Sequence, residues 1–517
     1  MRRKQPAHGS LGRRRAVVIG GGMAGLLAAR VLSDHFAQVA LIERDRLIGD
    51  AEPRRGVPQG RHVHSLLARG AIIMGEYFPD LFRALARDGA VPVGTESIHW
   101  NQLGVWMAPV RSPVKVSFQS RPFLEQHVRE QLAARENVRI MDACEVSQLC
   151  AHNDRVTGVV LRHRAGEQHE EELTADLVVD VSGRGSRASH WLNSLGYGNV
   201  QETSIKIDVG YATRIYRSPA QLSSAWKVLL IFGNPPDDKS GGVIFPIQGG
   251  YWMVTLAGSL RDYPPDDEPA FLEFARSLAQ PDLYEAIKDA EPVTPITVYK
   301  YPANRWRHYE RMRRLPEGFI IMGDAACSFN PIYGQGMSVA AIEAQTLDRC
   351  LREQETFDGH NGVAGFTQRF QQAIARAIKT PWLLATGEDL RYPGVEGKRS
   401  LRTRLLNRYM RRVVELAASD SDLAATLLRV RNLLKPLRAL FQPDIILAVL
   451  RLELAAGRRK AAVNKLSFYL SLFVLEIPQT LQRRCRLPRP GRTARQIYPS
   501  KIHKAPSMDQ KTKRLVV

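Results

Sequence analysis

The feature that most constrains this chain is Gly20-Gly21-Gly22-Met23-Ala24-Gly25, set between the apolar run Arg15-Ala16-Val17-Val18-Ile19 and a stretch, Met23 to Leu32, that reads as a helix. Gly20, Gly22 and Gly25 satisfy the G-x-G-x-x-G spacing that joins a buried strand to a helix in dinucleotide-binding βαβ units. The three glycines serve different ends. Gly20 permits a tight turn, Gly22 lets backbone approach a diphosphate without a Cβ clash, and Gly25 lets helix and strand pack closely. The phosphates then sit on unpaired helix N–H groups. A second apolar run, Gln38 to Ile42, ends at Glu43 and Arg44, about twenty residues on, where a carboxylate would accept hydrogen bonds from an adenosine ribose. A glycine-rich loop without a ligand would explain the spacing but not the order of strand, helix, strand and acid.

Most of the net charge of +21 is terminal. From Gly457 onward fifteen Lys or Arg face only Glu476 and Asp509, a net of +13, and Met1 to Arg15 carries six basic residues and no acid. Charge runs of this kind are solvated tails more often than nucleic-acid sites, and no nucleic-acid-binding motif accompanies them. Leu466 to Leu475 is strongly apolar and precedes the basic Arg483 to Arg486, but it falls well short of the roughly 20 residues that span a bilayer. Two readings of it stand: a helix packed on the protein body, or an interfacial segment with its basic flank near anionic headgroups on the inner face of a membrane. The five cysteines are scattered without a C-x-x-C pair, which argues against a zinc site or disulfide framework and fits a reducing cytoplasm. Arg13 to Arg15 before an apolar run imitates an export signal, but the glycine spacing and the acid-tipped second strand account for that run better.

At 517 residues the chain has room for roughly three domains, and their segments interleave. Phe123 to Ala134 reads as a helix, Val138 to Met141 and Leu177 to Val181 as buried strands, and Arg155 to Leu161 as sheet edge or hairpin. From about Glu202 to Ala303, strand-like Ile205 to Tyr216, Trp226 to Phe232, Gly242 to Ala257 and Val293 to Tyr301 alternate with Pro/Gly/Asp loops, which predicts a separate sheet domain. Gly318 to Met322 then returns as a buried strand. Apolar residues recur at helical spacing in Leu401 to Ala417. The expected architecture is α/β: a Rossmann-like cofactor domain of 14–78, 116–200 and 312–352, interleaved with a β-sheet substrate domain of 79–115 and 201–311. A helical region, 353–456, and a segment with an apolar helix and basic tail, 457–517, follow.

The stretch Gly318 to Ala344, containing Gly323-Asp324-Ala325-Ala326 and Pro331-Ile332-Tyr333-Gly334-Gln335-Gly336-Met337, resembles the second FAD motif of class A flavin monooxygenases, those with the p-hydroxybenzoate hydroxylase fold. The resemblance implies FAD, held by Asp324 on the ribityl hydroxyls, a loop stiffened by Pro331, and close backbone approach at Gly334 and Gly336. The helix that begins there would favour negative charge at the flavin N1–C2=O edge by roughly 0.3–1 kcal/mol. Arg121 matches an arginine that contacts FAD in the class. Within it, Arg54 to Leu67 and Val243 to Leu256 are similar to segments of squalene-epoxidase-like enzymes and bacterial polyene epoxidases.

What the class does carries over as expectation. Reduced FAD reacts with O2 to a C4a-hydroperoxide, which passes one oxygen atom to a small apolar substrate, a polyene, isoprenoid or aromatic compound, from which water is excluded. The class usually carries an Asp-Gly motif bridging FAD and NAD(P)H. Here Asp180-Val181-Ser182-Gly183-Arg184-Gly185-Ser186-Arg187 keeps it only in part, so the reductant is either NAD(P)H directly or a partner flavin reductase. His62 and His64 are weak candidates for acid/base work, since alternating residues on an extended segment more often share a face for structural reasons. Asp45 and Glu343 read as surface or helix residues, and no metal site is expected. The alternatives within the same fold are a geranylgeranyl-reductase-type saturase and a halogenase, the latter disfavoured because no Trp-x-Trp-x-Ile-Pro segment exists. A non-catalytic, membrane-associated flavin-binding module is the third.

Overall fold

The structure, a computed structural model, describes residues 14–47, 51–112, 115–164, 169–219, 226–357 and 365–455. The expectations for the basic N-terminus and for 457–517 fall outside them. Chain contacts divide the protein into 1–436 and 437–517. The described part of the second unit is a short 3₁₀ turn, Leu437–Phe441, and the helix Pro443–Ala455.

The first unit is mixed α/β. Its centre is a five-stranded parallel sheet in the order Phe319–Ile321, Leu177–Asp180, Arg15–Ile19, Gln38–Ile42, Val138–Met141. These strands come from three distant stretches of sequence and are short and apolar, as parallel strands covered on both faces must be. The helix Met23–Leu32 covers the sheet with Leu26, Leu27, Val31 and Leu32, all fully buried. Each such side chain contributes roughly 1.5–3 kcal/mol of burial. The helix Gly336–Phe357 packs against it.

The second layer is an eight-stranded, mostly antiparallel sheet: Cys327–Ser328, Thr297–Arg307, Glu202–Arg217, Tyr251–Gly258, Ser240–Ile247, Val228–Ile231, Ile98–Gln102 and Val105–Trp106. The stretch Gly242 to Ala257, read from sequence as one strand-like segment, is a hairpin turned at Gly249 and Gly250, both at positive φ. The last strand of the segment starts later than expected, at Thr297, and runs on to Arg307. Cys144–His152, Arg155–His163 and Glu170–Thr174 form a separate three-stranded sheet. The helices Arg121–Ala133 and Leu401–Ala417 lie close to where periodicity predicts them. Phe366–Asp389 is a further long helix. Among the described residues no helix is long and apolar enough to cross a membrane.

Between Ile321 and Cys327 the chain leaves the parallel sheet and enters the antiparallel one, where Trp306 pairs with Cys327. Gly323 and Asp324 lie on this crossing.

Candidate functional site

The ends of the strands Arg15–Ile19, Leu177–Asp180 and Phe319–Ile321 open on one cleft of about 1720 Å³, counting the open space at its mouth. Gly20, Gly22, Glu43, Arg44, Arg121, Gly323, Asp324, Pro331, Gly334, Gly336 and Met337 all line it. The two glycine motifs, some three hundred residues apart in sequence, thus face one space. Two expected residues are set back from it. Gly25 lies behind the turn, and Gln335 is buried beneath the lining.

Gly20 sits at φ +110°, and a Cβ there would lie 2.7 Å from the Val181 carbonyl oxygen. A Cβ on Gly25 would lie 1.8 Å from the Gly20 carbonyl oxygen, so this position is fixed by helix-to-strand contact. Gly22 has nothing within 4 Å of the equivalent point and opens on the cleft. The N–H groups of the first helical turn have no acceptor within the helix, and Met23 and Ala24 line the cleft.

Glu43, expected to face a ribose, also has partners within the protein. One carboxylate oxygen accepts from the Gly21 N–H at 2.8 Å and the other from the Asp45 N–H at 2.9 Å, which braces the glycine turn. Glu43 also pairs with Arg54 at 3.0 Å, Arg54 with Glu125 at 3.1 Å, and Glu125 with Arg121 at 2.9 Å. Burial alone would raise the Glu125 pKa, but Arg121 and Arg54 hold it below the usual value. Arg121 then donates to His64 Nε2 at 3.1 Å. This alternation of acid and base runs along the cleft wall from Glu43 to His64.

The two histidines part company. His64 lines the cleft, but burial and then Arg121 push its pKa down to about 3. With Nε2 accepting from Arg121, Nδ1 carries the proton and donates to the His62 carbonyl at 2.9 Å. His62 is outside the lining, bonded to Thr213 at 2.7 Å and set near the rings of Tyr211 and Tyr299, and burial followed by Arg61 lowers its pKa to about 4. Both imidazoles are neutral near pH 7.

Asp324 is half-buried and, among the described residues, has no hydrogen-bond or ion-pair partner. Burial raises its pKa, opposed by Arg121, Arg184 and Arg305. Glu343, read from sequence as an ordinary helix residue, is fully buried and lines the cleft. It accepts from the Gly323 N–H at 2.5 Å, its other oxygen has no partner among the described residues, and burial pushes its pKa up to about 8. Asp45 likewise is no free surface residue, since it accepts from the Gly56 N–H at 2.5 Å. Asp180 turns inward and accepts from Ser182 Oγ at 2.6 Å and Ser186 Oγ at 2.5 Å, leaving Ser182, Gly183, Arg184 and Arg187 on the lining. Sequence reasoning missed Arg54, Glu125 and Glu343 as site residues. Glu125 could have been found four residues after Arg121 on a predicted helix, and Glu343 as a lone acid in the apolar run Val339 to Ala344.

A family model described as FAD binding domain matches residues 13–363, more than half of the chain. The chain belongs to the FAD binding domain family. Among curated relatives of this family member, Protein Rv3254 of Mycobacterium tuberculosis is 34% identical over 388 residues, covering 73% of this chain and 80% of that protein. Kynurenine 3-monooxygenase of Salinispora tropica is 25% identical over 363 residues, 66% of this chain and 73% of that enzyme. Among solved structures, p-nitrophenol 4-monooxygenase PnpA from Pseudomonas putida matches with a TM-score of 0.57 at 18% identity, covering 82% of this chain and 99% of that one, a likeness of fold. This FAD binding domain protein is an FAD-dependent oxidoreductase of the monooxygenase type. The cleft fits that cofactor: helix N–H groups for a diphosphate, an unpartnered carboxylate for hydroxyl donors, and glycines at Gly22 and Gly336 beside which no atom stands within 4 Å of a Cβ.

Proposed function

We propose that this protein takes electrons from NAD(P)H and inserts one oxygen atom of O2 into a small apolar organic substrate, hydroxylating an aromatic ring or epoxidising a polyene or isoprenoid. The observation that carries the reading is the unpartnered carboxylate of Asp324, which stands on the crossing between the two sheets and faces the same cleft as the Gly20 turn.

When bound, reduced FAD supplies the oxygen activation and transfer. The protein supplies position and dryness. In this reading the turn Gly20 to Gly25 and the helix start at Met23 hold the diphosphate, Glu43 and Arg44 flank the adenosine ribose, and Asp324 takes the ribityl hydroxyls. Arg121, Pro331, Gly334, Gly336 and Met337 border the ring, with Gln335 beneath them. Tyr299, Tyr301, Phe329 and Val63 give the lining aromatic and apolar surface that would help keep water from the reacting atoms. Among the described residues His64 is the one imidazole on the lining, and both its nitrogens are engaged within the wall. That favours an electron-rich substrate that needs no base to deprotonate it. Arg184 and Arg187 offer cations for the phosphates of NAD(P)H at the lining, while a partner flavin reductase is the alternative source of electrons.

The names of kynurenine 3-monooxygenase and p-nitrophenol 4-monooxygenase favour an aromatic substrate. The segments 54–67 and 243–256 favour a polyene. A terpenoid, polyene and aromatic panel decides: the purified protein is expected to be yellow and to consume O2 with NADPH or NADH when the right substrate is added. Reduction of an alkene without O2 uptake would replace the reading with a saturase, and a protein that stays colourless with added FAD would end it. The segment 466–486 is proposed to touch anionic membrane from the cytoplasmic side, which sedimentation with anionic vesicles tests.

A further inference from the structure

Asp389 is the last residue of the helix Phe366–Asp389 and is 1% exposed, and it is not part of the cleft lining. Three donors converge on its carboxylate. Asn330 Nδ2 at 2.9 Å and the Tyr333 hydroxyl at 2.7 Å reach one oxygen, and Asn304 Nδ2 at 2.5 Å reaches the other. Asn330 and Tyr333 belong to the turn that runs into the cleft at Pro331, Gly334 and Gly336, while Asn304 lies on the strand Thr297–Arg307 of the large sheet.

The network closes on itself. The Asn330 N–H donates to Asn304 Oδ1 at 2.6 Å, and Asn330 Oδ1 accepts from the Tyr211 hydroxyl at 3.0 Å and from the Ile332 N–H at 3.2 Å, capping the 3₁₀ turn Pro331–Tyr333. One carboxylate therefore ties together a helix, the large sheet and the turn that starts the helix Gly336–Phe357. Every hydrogen bond to the Asp389 carboxylate comes from a neutral donor, and no cation pairs with it among the described residues. Its sequence neighbour Glu388 is turned elsewhere, paired with Arg391 at 2.7 Å and Arg431 at 3.5 Å. A buried acceptor of three hydrogen bonds cannot be removed without orphaning the donors, which makes the site costly to alter and specific in geometry.

We propose that Asp389 is a positioning residue for the flavin reaction, holding the Asn330–Gly334 turn in register with the large sheet so that the affinity for FAD and the reduction potential of the bound ring depend on it. This rests on the reading that FAD fills the cleft. Burial raises the Asp389 pKa to about 6 against the pull of Tyr333, Asn330 and Asn304, so the group is an anion under mildly alkaline conditions. A fixed negative charge behind the ring-facing turn disfavours adding electrons to that ring.

The test titrates FAD into wild-type apoprotein and into Asp389→Asn, Tyr333→Phe and the double variant Asn304→Asp/Asp389→Asn, and measures the potential of each loaded protein at pH 8. Asp389→Asn places an amide donor among donors and is expected to weaken FAD binding by about tenfold and raise the potential. The double variant returns a carboxylate to the network and is expected to recover most of the affinity. Tyr333→Phe, which removes one bond and lies off the lining, is expected to weaken binding by several-fold, and it decides the matter should Asp389→Asn fail to fold. If wild type takes up no FAD, the functional reading falls. If wild type takes up FAD and the variants match it in affinity and potential, or the double variant fares no better than Asp389→Asn, the positioning role is overturned.

Discussion

At the scale of single residues, the site depends on carboxylates whose environments differ. Asp324 faces the cleft and has no partner among the described residues, so its value lies in what it can hold. Hydrogen bonds to an ionised acceptor are worth roughly 1.5–3 kcal/mol each, so Asp324→Ala is expected to weaken FAD binding by about 10- to 100-fold without a comparable loss of apoprotein stability. Fluorescence titration of FAD into apoprotein, with a melting curve beside it, checks both halves. Glu343 is the reverse case, a carboxyl kept neutral by burial, with its pKa up at about 8. An acid whose pKa is raised on folding takes up a proton as it folds. Its contribution is least unfavourable below the unfolded value near 4.5, and stability falls as pH rises from there through 8. Glu343→Gln keeps an acceptor for the Gly323 N–H and cannot ionise. Its apoprotein should match wild type near pH 5 and exceed it by on the order of 3 kcal/mol by pH 8.5, read from denaturant unfolding at the two pH values. Equal stability of the two proteins at both would mean that Glu343 is ionised in the fold.

Secondary elements are held together by a different charge cluster. His35 follows the helix Met23–Leu32 and reaches Asp348 and Glu355 on the helix Gly336–Phe357, at 2.9 Å each, while the Tyr77 hydroxyl donates to the same Asp348. Burial alone would lower the His35 pKa, but the two carboxylates carry it up to about 9. The stabilisation is fully present below 6.5, the unfolded value, and is lost as pH rises through 9. His35→Gln should therefore be less stable than wild type at pH 6, by roughly 2 kcal/mol once the half-exposed Glu355 is discounted, with the gap closing by pH 10. A gap that persists at pH 10 would assign the role of His35 to packing. The elements themselves were largely legible in the sequence, because apolar runs such as Val138 to Met141 and Leu177 to Asp180 have no other stable place than a covered sheet. The hairpin at Gly249-Gly250 was hidden because the apolar run on each side is continuous in character, and two glycines in a sheet pattern signal a bulge as readily as a turn. That the two glycine motifs and Asp324 line one cleft was legible from motif spacing. Arg54, Glu125 and Asp389 act by pairing across the fold, which spacing along the chain does not encode.

For the molecule as a whole, the decisive arrangement is that two sheets of different construction share one strand crossing. Arg307 stands at that joint. It lies on the long strand of the large sheet, yet its guanidinium donates to the Ala325 carbonyl at 2.8 Å and to the Arg184 carbonyl at 3.1 Å, and its backbone N–H donates to the Ala326 carbonyl at 2.9 Å. Arg305 reaches the same Arg184 carbonyl, and Arg184 in turn lies over the Tyr301 ring at 4.0 Å. Arg307 thus reaches both loops, those that follow Leu177–Asp180 and Phe319–Ile321, with Arg305 a second donor to the first of them. Arg307→Met keeps much of the buried stem and removes the donors, so both carbonyls lose a charged partner at once. The expected result is weaker FAD binding together with faster amide exchange in 182–187 and 323–326, while the hairpin Ser240–Ile247 and Tyr251–Gly258 keeps its protection. Faster exchange across the whole large sheet would show that Arg307 supports the sheet itself. Unchanged exchange in both loops would show that the Arg307 guanidinium is not what holds them, leaving the Arg305 contact and the backbone pairing of Trp306 with Cys327 as the joint between the sheets.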